Sequence, residues 1–334
     1  MFRDPWEPLI ENESDSPIYG VLWNRTSTSP TLSRIDENGD TISPTSLSFN
    51  NHPLWGNMRR CTLDASGNPT YGTNAKGDGL TFTSDYCMVE LPGCYAGSFR
   101  EGDYQGFLLG TRPFESKYVN SVWHPAFYRR DRTGVKSQKL YLGAYEASAN
   151  GGTTVANGTT NCIKASSWTG LKLTSKSGVK CLTGDTGTGT MAEFETAANA
   201  IGTNWGIESF WTRALLQSLF YIEYASFNSQ SALAPGRTNA SNTAALDTGA
   251  GNALMNSSGT GGGNDTQAVV YRGIENPWGN IFEFIIGFNS IDTAYNVMKR
   301  DGTGALAAVL ASGAYEQTSG ITPLNGTTNI SGTD

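Results

Sequence analysis

Tyr271-Arg272-Gly273-Ile274-Glu275-Asn276-Pro277-Trp278-Gly279-Asn280-Ile281-Phe282-Glu283-Phe284-Ile285-Ile286-Gly287-Phe288-Asn289 is the stretch on which the reading of this chain turns. Asn276-Pro277 sets a turn, Gly279 offers a position where backbones approach closely, and Ile281, Phe282, Phe284 and Ile285 surround one acid, Glu283. An apolar run bounded by turn residues predicts a buried strand with a single polar anchor. Within it Glu283 reads as a structural acid, accepting hydrogen bonds from backbone or from Asn280, rather than as a catalytic group.

Upstream of that run, two helices are predicted. Thr190-Met191-Ala192-Glu193 has capping-box spacing and Phe194, Ala197, Ala198 and Ile201 form a helical stripe, so one helix is expected over 190–201, with Gly202 as its stop. Ile207, Trp211, Leu215, Leu219 and Ile222 repeat every three to four residues, which predicts a second helix over 208–224. Between it and the opening stretch lies a polar segment, 232–267, rich in Gly, Ser, Asn and Thr. A segment of that composition is expected on the surface, mobile or held by a partner, because burying it would orphan its backbone polar groups. Nearer the N-terminus, short apolar runs alternate with turns. Asp36-Glu37-Asn38-Gly39-Asp40 and Asp64-Ala65-Ser66-Gly67-Asn68 carry hairpin signals. Asp36, Asn38 and Asp40 also resemble the opening of an EF-hand loop, but the position that needs Glu is Leu47.

Composition narrows the classes. Of 334 residues 16% are charged and 40 are Gly, which favours strands, turns and polar loops over helical bundles. A net charge of -7 argues against nucleic-acid binding, since the basic residues cluster only at Arg129, Arg130 and Arg132. No window approaches the ~20 apolar residues of a membrane helix. Met1 to Pro5 lacks an apolar signal core, so synthesis and assembly in a cytoplasm are expected. Cys61, Cys87, Cys94, Cys162 and Cys181 form no Cys-x-x-Cys pair and read as free buried thiols. The acidic, Pro-bearing residues 1–16 cannot build a core and read as an extended arm.

The run Gly279-Asn280-Ile281-Phe282-Glu283-Phe284 resembles the Gly-Asn-Val-Trp-Glu-Trp core strand of the C-type lectin fold, in the branch of formylglycine-generating-enzyme-like domains, retroelement-diversified variable proteins and many phage tail proteins. The order of elements over about 85–290, including Gly143-Ala144-Tyr145-Glu146, is similar to that branch. Ser29 to Arg34, His52 to Met58, His124 to Phe127 and Tyr221 to Tyr224 resemble segments of phage and prophage tail proteins. The resemblance implies an α+β fold with two helices packed on a twisted antiparallel sheet and long loops. The C-type-lectin-like domain would span 84–334, with an atypical or incomplete C-terminal end, behind a small β-rich domain over 17–83. Asn276, Trp278, Gly279, Asn280, Phe282, Glu283 and Phe284 would be its structural core motif.

By that resemblance the chain is expected to be a virion appendage subunit, a tail fibre or tail tip, that attaches to a host-surface glycan or protein receptor. It would sit in the virion among other virion subunits as a homo-oligomer, trimers being common among appendage proteins. Loop residues Asn228, Arg237, Asn239 and Tyr295 are the candidate ligand contacts. The alternative is an architectural head or tail subunit with no ligand of its own. An enzyme is not expected. The formylglycine-generating enzymes need a late cysteine pair, and no Cys follows Cys181. Their iron-dependent relatives need several His ligands, against His52 and His124 here. Asp247, Asn252, Asn264 and Asp265 supply oxygens that could hold calcium, but in no recognisable spacing, so no metal or cofactor is assigned.

Overall fold

The computed structural model describes residues 16–157, 160–184, 188–238, 244–257, 266–291, 294–307 and 309–317. Of the expected arm over 1–16, all but Ser16 lies outside them. Both predicted hairpin turns form. Asp36 pairs with Asp40 across Gly39, whose φ is 83°, and strands Arg59–Leu63 and Pro69–Tyr71 pair antiparallel across the Asp64 to Asn68 turn. In each turn the leading Asp accepts backbone N–H groups through its carboxylate, which fixes the reversal before any long-range contact is made.

These hairpins feed two antiparallel sheets. One runs Ser33–Ile35, Tyr19–Asn24, Tyr104–Gly110, Tyr95–Glu101, Val122–Trp123. The other runs Pro69–Tyr71, Arg59–Leu63, Cys87–Pro92, Lys139–Gly143. Pairing crosses the boundary expected at residue 83, since Tyr19–Asn24 is bonded to Tyr104–Gly110 and Arg59–Leu63 to Cys87–Pro92. Four smaller sheets complete the strands among the described residues.

Four helices are described: α1 over Ser46–Asn51, α2 over Met191–Asn199, α3 over Phe210–Tyr224 and α4 over Ser229–Ala232. α2 begins with the predicted capping box, Thr190 and Glu193 satisfying each other's backbone N–H groups, and it stops at Asn199, short of Gly202. α3 is capped by Ser209 and closes on a left-handed Ala225. The Arg34 guanidinium donates to its terminal carbonyls at Ile222, 2.8 Å, and Glu223, 2.5 Å. Leu215, Leu219 and Ile222 of α3 share one apolar cluster with Val21 of the first sheet, Val89 and Leu91 of the second, and Trp55 and Tyr271.

The expected α+β class is overturned. Of the described residues 31% are strand and 13% helix, distributed over many small sheets rather than two helices on one twisted sheet. The helical periodicity was real, but it covers little of the chain; the many Gly and Asn turns divide the remainder into short, separate ladders.

The opening stretch folds differently from its reading. Val270–Tyr271 and Ile274–Glu275 form a hairpin whose two turn residues, Arg272 and Gly273, both have positive φ, 49° and 84°. That is the primed-turn geometry of a two-residue hairpin. Asn276, Gly279 and Asn280 follow with φ of 50°, 80° and 63°, so three of five residues are left-handed and no strand can propagate through them. Ile281 to Ile285 is therefore irregular coil, not a buried strand. Phe282 is wholly exposed at 105% and Phe284 is 44% exposed. The expected core motif is corrected accordingly. Asn276 is buried and Trp278 packs on Phe220, whereas Phe282, Glu283 and Phe284 face outward. The chain returns to a ladder at Phe288–Ile291, paired with Ala294–Met298, which in turn pairs with Tyr315–Gln317.

The described parts of 232–267 are held by the chain itself. Buried Arg60 donates to the carbonyls of Gly273 (2.9 Å), Asn252 (2.7 Å) and Gly251 (3.4 Å). The Glu275 carboxylate accepts the N–H groups of Gly249 and Gly251, at 2.8 and 2.6 Å. A loop expected on the surface thus satisfies its polar backbone through two buried charged side chains.

Candidate functional site

A cleft of about 960 Å³ opens between the four-stranded sheet, the N-terminal end of α3 and the coil after Trp278. Its walls include Glu275, already engaged by Gly249 and Gly251, and two further acids brought from distant parts of the sequence. Glu146 follows the strand Lys139–Gly143 and is only 6% exposed. One carboxyl oxygen accepts the side-chain amides of Asn280 (2.6 Å) and Asn276 (3.0 Å) and the Cys181 thiol (3.4 Å). Its other oxygen, Oε1, has no hydrogen-bond partner among the described residues. The left-handed turns at Asn276 and Asn280 place both amides on this one carboxylate.

Glu208 immediately precedes the Ser209 cap of α3, with its side chain 10% exposed. Arg213, in the first turn of the same helix, donates to Glu208 Oε2 at 2.5 Å, to Glu283, and to the Pro277 carbonyl at 2.8 Å. Glu283 is thus the partner of a guanidinium at the cleft rim, not an anchor inside a strand. Glu208 Oε1 and Arg213 Nε are buried without partners among the described residues, and so are Thr160 Oγ1 and Thr174 Oγ1 on the same walls.

Burial pushes the carboxyl of Glu146 up to about 7, opposed by the amides of Asn280 and Asn276 and by the Cys181 thiol. Burial does the same to Glu208, up to about 7, opposed by Arg213. The negative charge of Glu283 raises both. Two carboxyls that titrate near neutrality in a cleft mark a candidate site. Glu208 and Glu283 approach each other through one Arg213 nitrogen, so a cation fills the gap that a glycosidase pair leaves for its sugar. The arrangement suits binding of hydrogen-bonding groups. The remaining wall is aromatic: Tyr86 and Trp205 lie 4.9 Å apart, and Phe284 meets Phe194 at 5.5 Å.

The four loop residues expected to contact ligand lie elsewhere. Asn228 caps α4, accepting the N–H of Ser231 at 3.0 Å. Arg237 donates to Ala244 O at 2.7 Å and to Thr266 O at 3.3 Å, bracing its own loop. Tyr295 is half-buried with its ring 5.5 Å from Phe288. None of the three lines the cleft, and Asn239 lies outside the described residues. Of the oxygen donors weighed for calcium, Asp247 accepts from Asn161, Asn252 is engaged by Tyr145 and Ser177, and Asn264 and Asp265 lie outside the described residues. No group of three or more His, Cys, Asp or Glu converges into a cage among the described residues. No described helix is long and apolar enough to cross a membrane.

Arg213 and the role of Glu146 were not found from the sequence. The spacing of Glu208, Ser209 and Arg213 is compatible with a capped helix start carrying an ion pair, which is a weak signal. Nothing local ties Glu146 to Asn276 and Asn280. Comparison of the chain with protein-family models, with curated proteins and with solved structures finds no match.

Proposed function

We propose that this chain is a virion appendage subunit, of the tail-fibre or tail-tip kind, that attaches to a host-surface receptor through the cleft beside Phe282. The observation that carries the proposal is the pairing of a cleft of about 960 Å³ with exposed aromatic side chains at its mouth, Phe282 at 105% and Phe284 at 44%. Aromatic residues on a rigid framework, next to a few well-placed polar groups, are the usual composition of a recognition surface. The tail-protein resemblance of several separate segments supplies the virion context. The net charge of -7 is unsuited to a nucleic-acid partner.

The test is binding of the labelled full chain to a panel of bacterial cells by flow cytometry, with Phe282→Ala/Phe284→Ala alongside. Saturable binding to some strains, reduced at least tenfold in the double variant, is expected. Absence of binding to every strain, or equal binding by the variant, would overturn the reading.

The same exposed phenylalanines favour a second reading, an architectural subunit in which they pack against a neighbour, since apolar side chains left in water mark contact surfaces. In that case the double variant would weaken self-association in light scattering and leave no cell binding to lose.

A further inference from the structure

We propose that the free edge of the strand Lys139–Gly143 is a docking site for an extended polypeptide, which enters the cleft and adds to the four-stranded sheet as a fifth strand. This rests on the attachment reading and names the receptor as a protein that presents an extended, uncharged segment rich in β-branched and aromatic residues. Lys139–Gly143 is the last strand of its sheet and pairs only with Cys87–Pro92. Ala144 N donates to Cys87 O at 2.9 Å and Gly93 N to Gln138 O at 2.7 Å, so the even-numbered residues from Gln138 to Ala144 turn their main-chain groups toward that neighbour. Alternate residues of an antiparallel ladder point the other way, which aims the N–H and C=O groups of Tyr141 and Gly143 off the sheet. No main-chain partner among the described residues reaches them. The same outward edge is already used further back, where Ser137 N donates to Phe127 O at 2.7 Å and Arg129 N to Val135 O at 2.9 Å. That pairing stops where the chain turns into the short 3-10 helix Pro125–Phe127, whose first residue has no N–H to offer. Past this point the edge opens on the cleft, and every residue from Lys139 to Gly143 lines it. Gly143 has only main-chain atoms and is part-exposed, so it is the backbone itself that the cleft reaches.

The surroundings of this edge select the segment. Leu140 and Leu142 pack on the main apolar cluster, while Tyr141, on the opposite face, joins Leu63, Met88, Tyr86 and Trp205. A strand laid along the edge alternates its side chains between these two apolar faces, as a strand buried on both sides does, so an uncharged run of Val, Ile, Thr or Tyr fits. The charges around the cleft are matched within the chain: Lys139 by Glu90, Arg130 by Glu195, and Arg213 by Glu208 and Glu283. None of them calls for a charged partner. Outward groups two residues apart repeat at about 7 Å, a spacing that the main chain of another strand reproduces and that the hydroxyls of a glycan do not.

The test uses the full chain and an array of capped hexapeptides drawn from Val, Ile, Thr, Tyr, Lys and Glu, with the strongest binder resynthesised for fluorescence anisotropy. Uncharged, β-branched peptides are expected to bind. N-methylation of every second residue should weaken the best of them at least tenfold in one phase and less than twofold in the other, because only one set of N–H groups faces the edge. Hydrogen exchange resolved by residue should find Tyr141 and Gly143 fast in the free chain and slowed at least tenfold by the peptide, with Leu140 and Leu142 slow throughout. Tyr141→Pro removes an outward N–H, a change that an edge strand tolerates, and Tyr141→Val removes the same ring but keeps the N–H. The Pro variant is expected to bind at least tenfold more weakly than the Val variant. The peptide arms leave the fold untouched, so they decide the matter if Tyr141→Pro unfolds. No binder on the array, equal loss from N-methylation in both phases, or unchanged exchange at Tyr141 and Gly143 would each overturn the proposal. Slow exchange at these two amides in the free chain would also overturn it, assigning the edge to a second copy if dilution restores fast exchange and to the chain's own residues if it does not. Cell binding by a chain that takes no peptide would sink the docking site and leave the attachment reading standing. Peptide binding at the edge with no cell binding would do the reverse.

Discussion

Phe282 and Glu283 show how little a residue's type says about its side once the backbone around it turns. Phe282 is fully exposed, so Phe282→Ala is expected to change unfolding free energy by no more than about 0.5 kcal/mol in a denaturant titration, whereas a core Phe would cost about 3–5 kcal/mol. A loss in the latter range would place Phe282 in a core. The buried acids give a pH test with opposite signs. Glu146 and Glu208 titrate near 4.5 when unfolded and are pushed up to about 7 in the fold. The native chain therefore keeps protons that the unfolded chain releases, and each acid lowers stability as pH rises from 4.5 toward 7. His52 and His124 act oppositely: burial lowers them from 6.5 to about 4 and about 3, so the stability they contribute is present above 6.5 and lost as pH falls. Glu208→Gln should thus gain on the parent by about 1–3 kcal/mol between pH 4 and pH 8. The same stability difference at both pH values would show that Glu208 titrates normally.

At the scale of elements, the local signals held wherever the capping and turn chemistry was self-contained. Thr190 and Glu193 close the box of α2 without help from elsewhere, and Thr190→Ala is expected to cost about 1 kcal/mol in thermal unfolding; no change would mean that the cap is redundant. The apolar stripe of α3 was equally readable because its period is set by the helix. Leu219 is fully buried in the shared cluster, so Leu219→Ala should cost about 2–5 kcal/mol by chemical denaturation, and a cost below 1 would show a loosely packed helix. The stretch after Asn276 misled because an apolar run has the same appearance in a strand and in an exposed coil. The deciding fact is the left-handed backbone at Asn276, Gly279 and Asn280. Asn and Gly permit that conformation but do not announce it.

Across the whole molecule, strands from the first 83 residues are built into sheets with later ones. Tyr19–Asn24 lies inside its sheet, bonded on both edges, and Arg59–Leu63 lies inside the second. A chain beginning at residue 84 would expose Leu108 and Leu109 and leave Tyr104–Gly110 and Cys87–Pro92 each lacking a neighbour. Such a truncation is expected to lose cooperative thermal unfolding and to aggregate. A sharp transition near that of the full chain would mean that the later residues fold by themselves.

What the sequence by itself determined were the features whose cause is local: the two Asp-led hairpin turns, the capped start of α2, the apolar face of α3, and five cysteines that stay unpaired and buried. Only the tertiary structure decided which acids are buried and what surrounds them. Glu146 meets Asn276 and Asn280, and Glu208 meets Arg213 and Glu283, through contacts between segments far apart in the chain. Such contacts depend on how separate ladders pack, which no short-range period encodes, so the cleft became visible only once the sheets and α3 were in place.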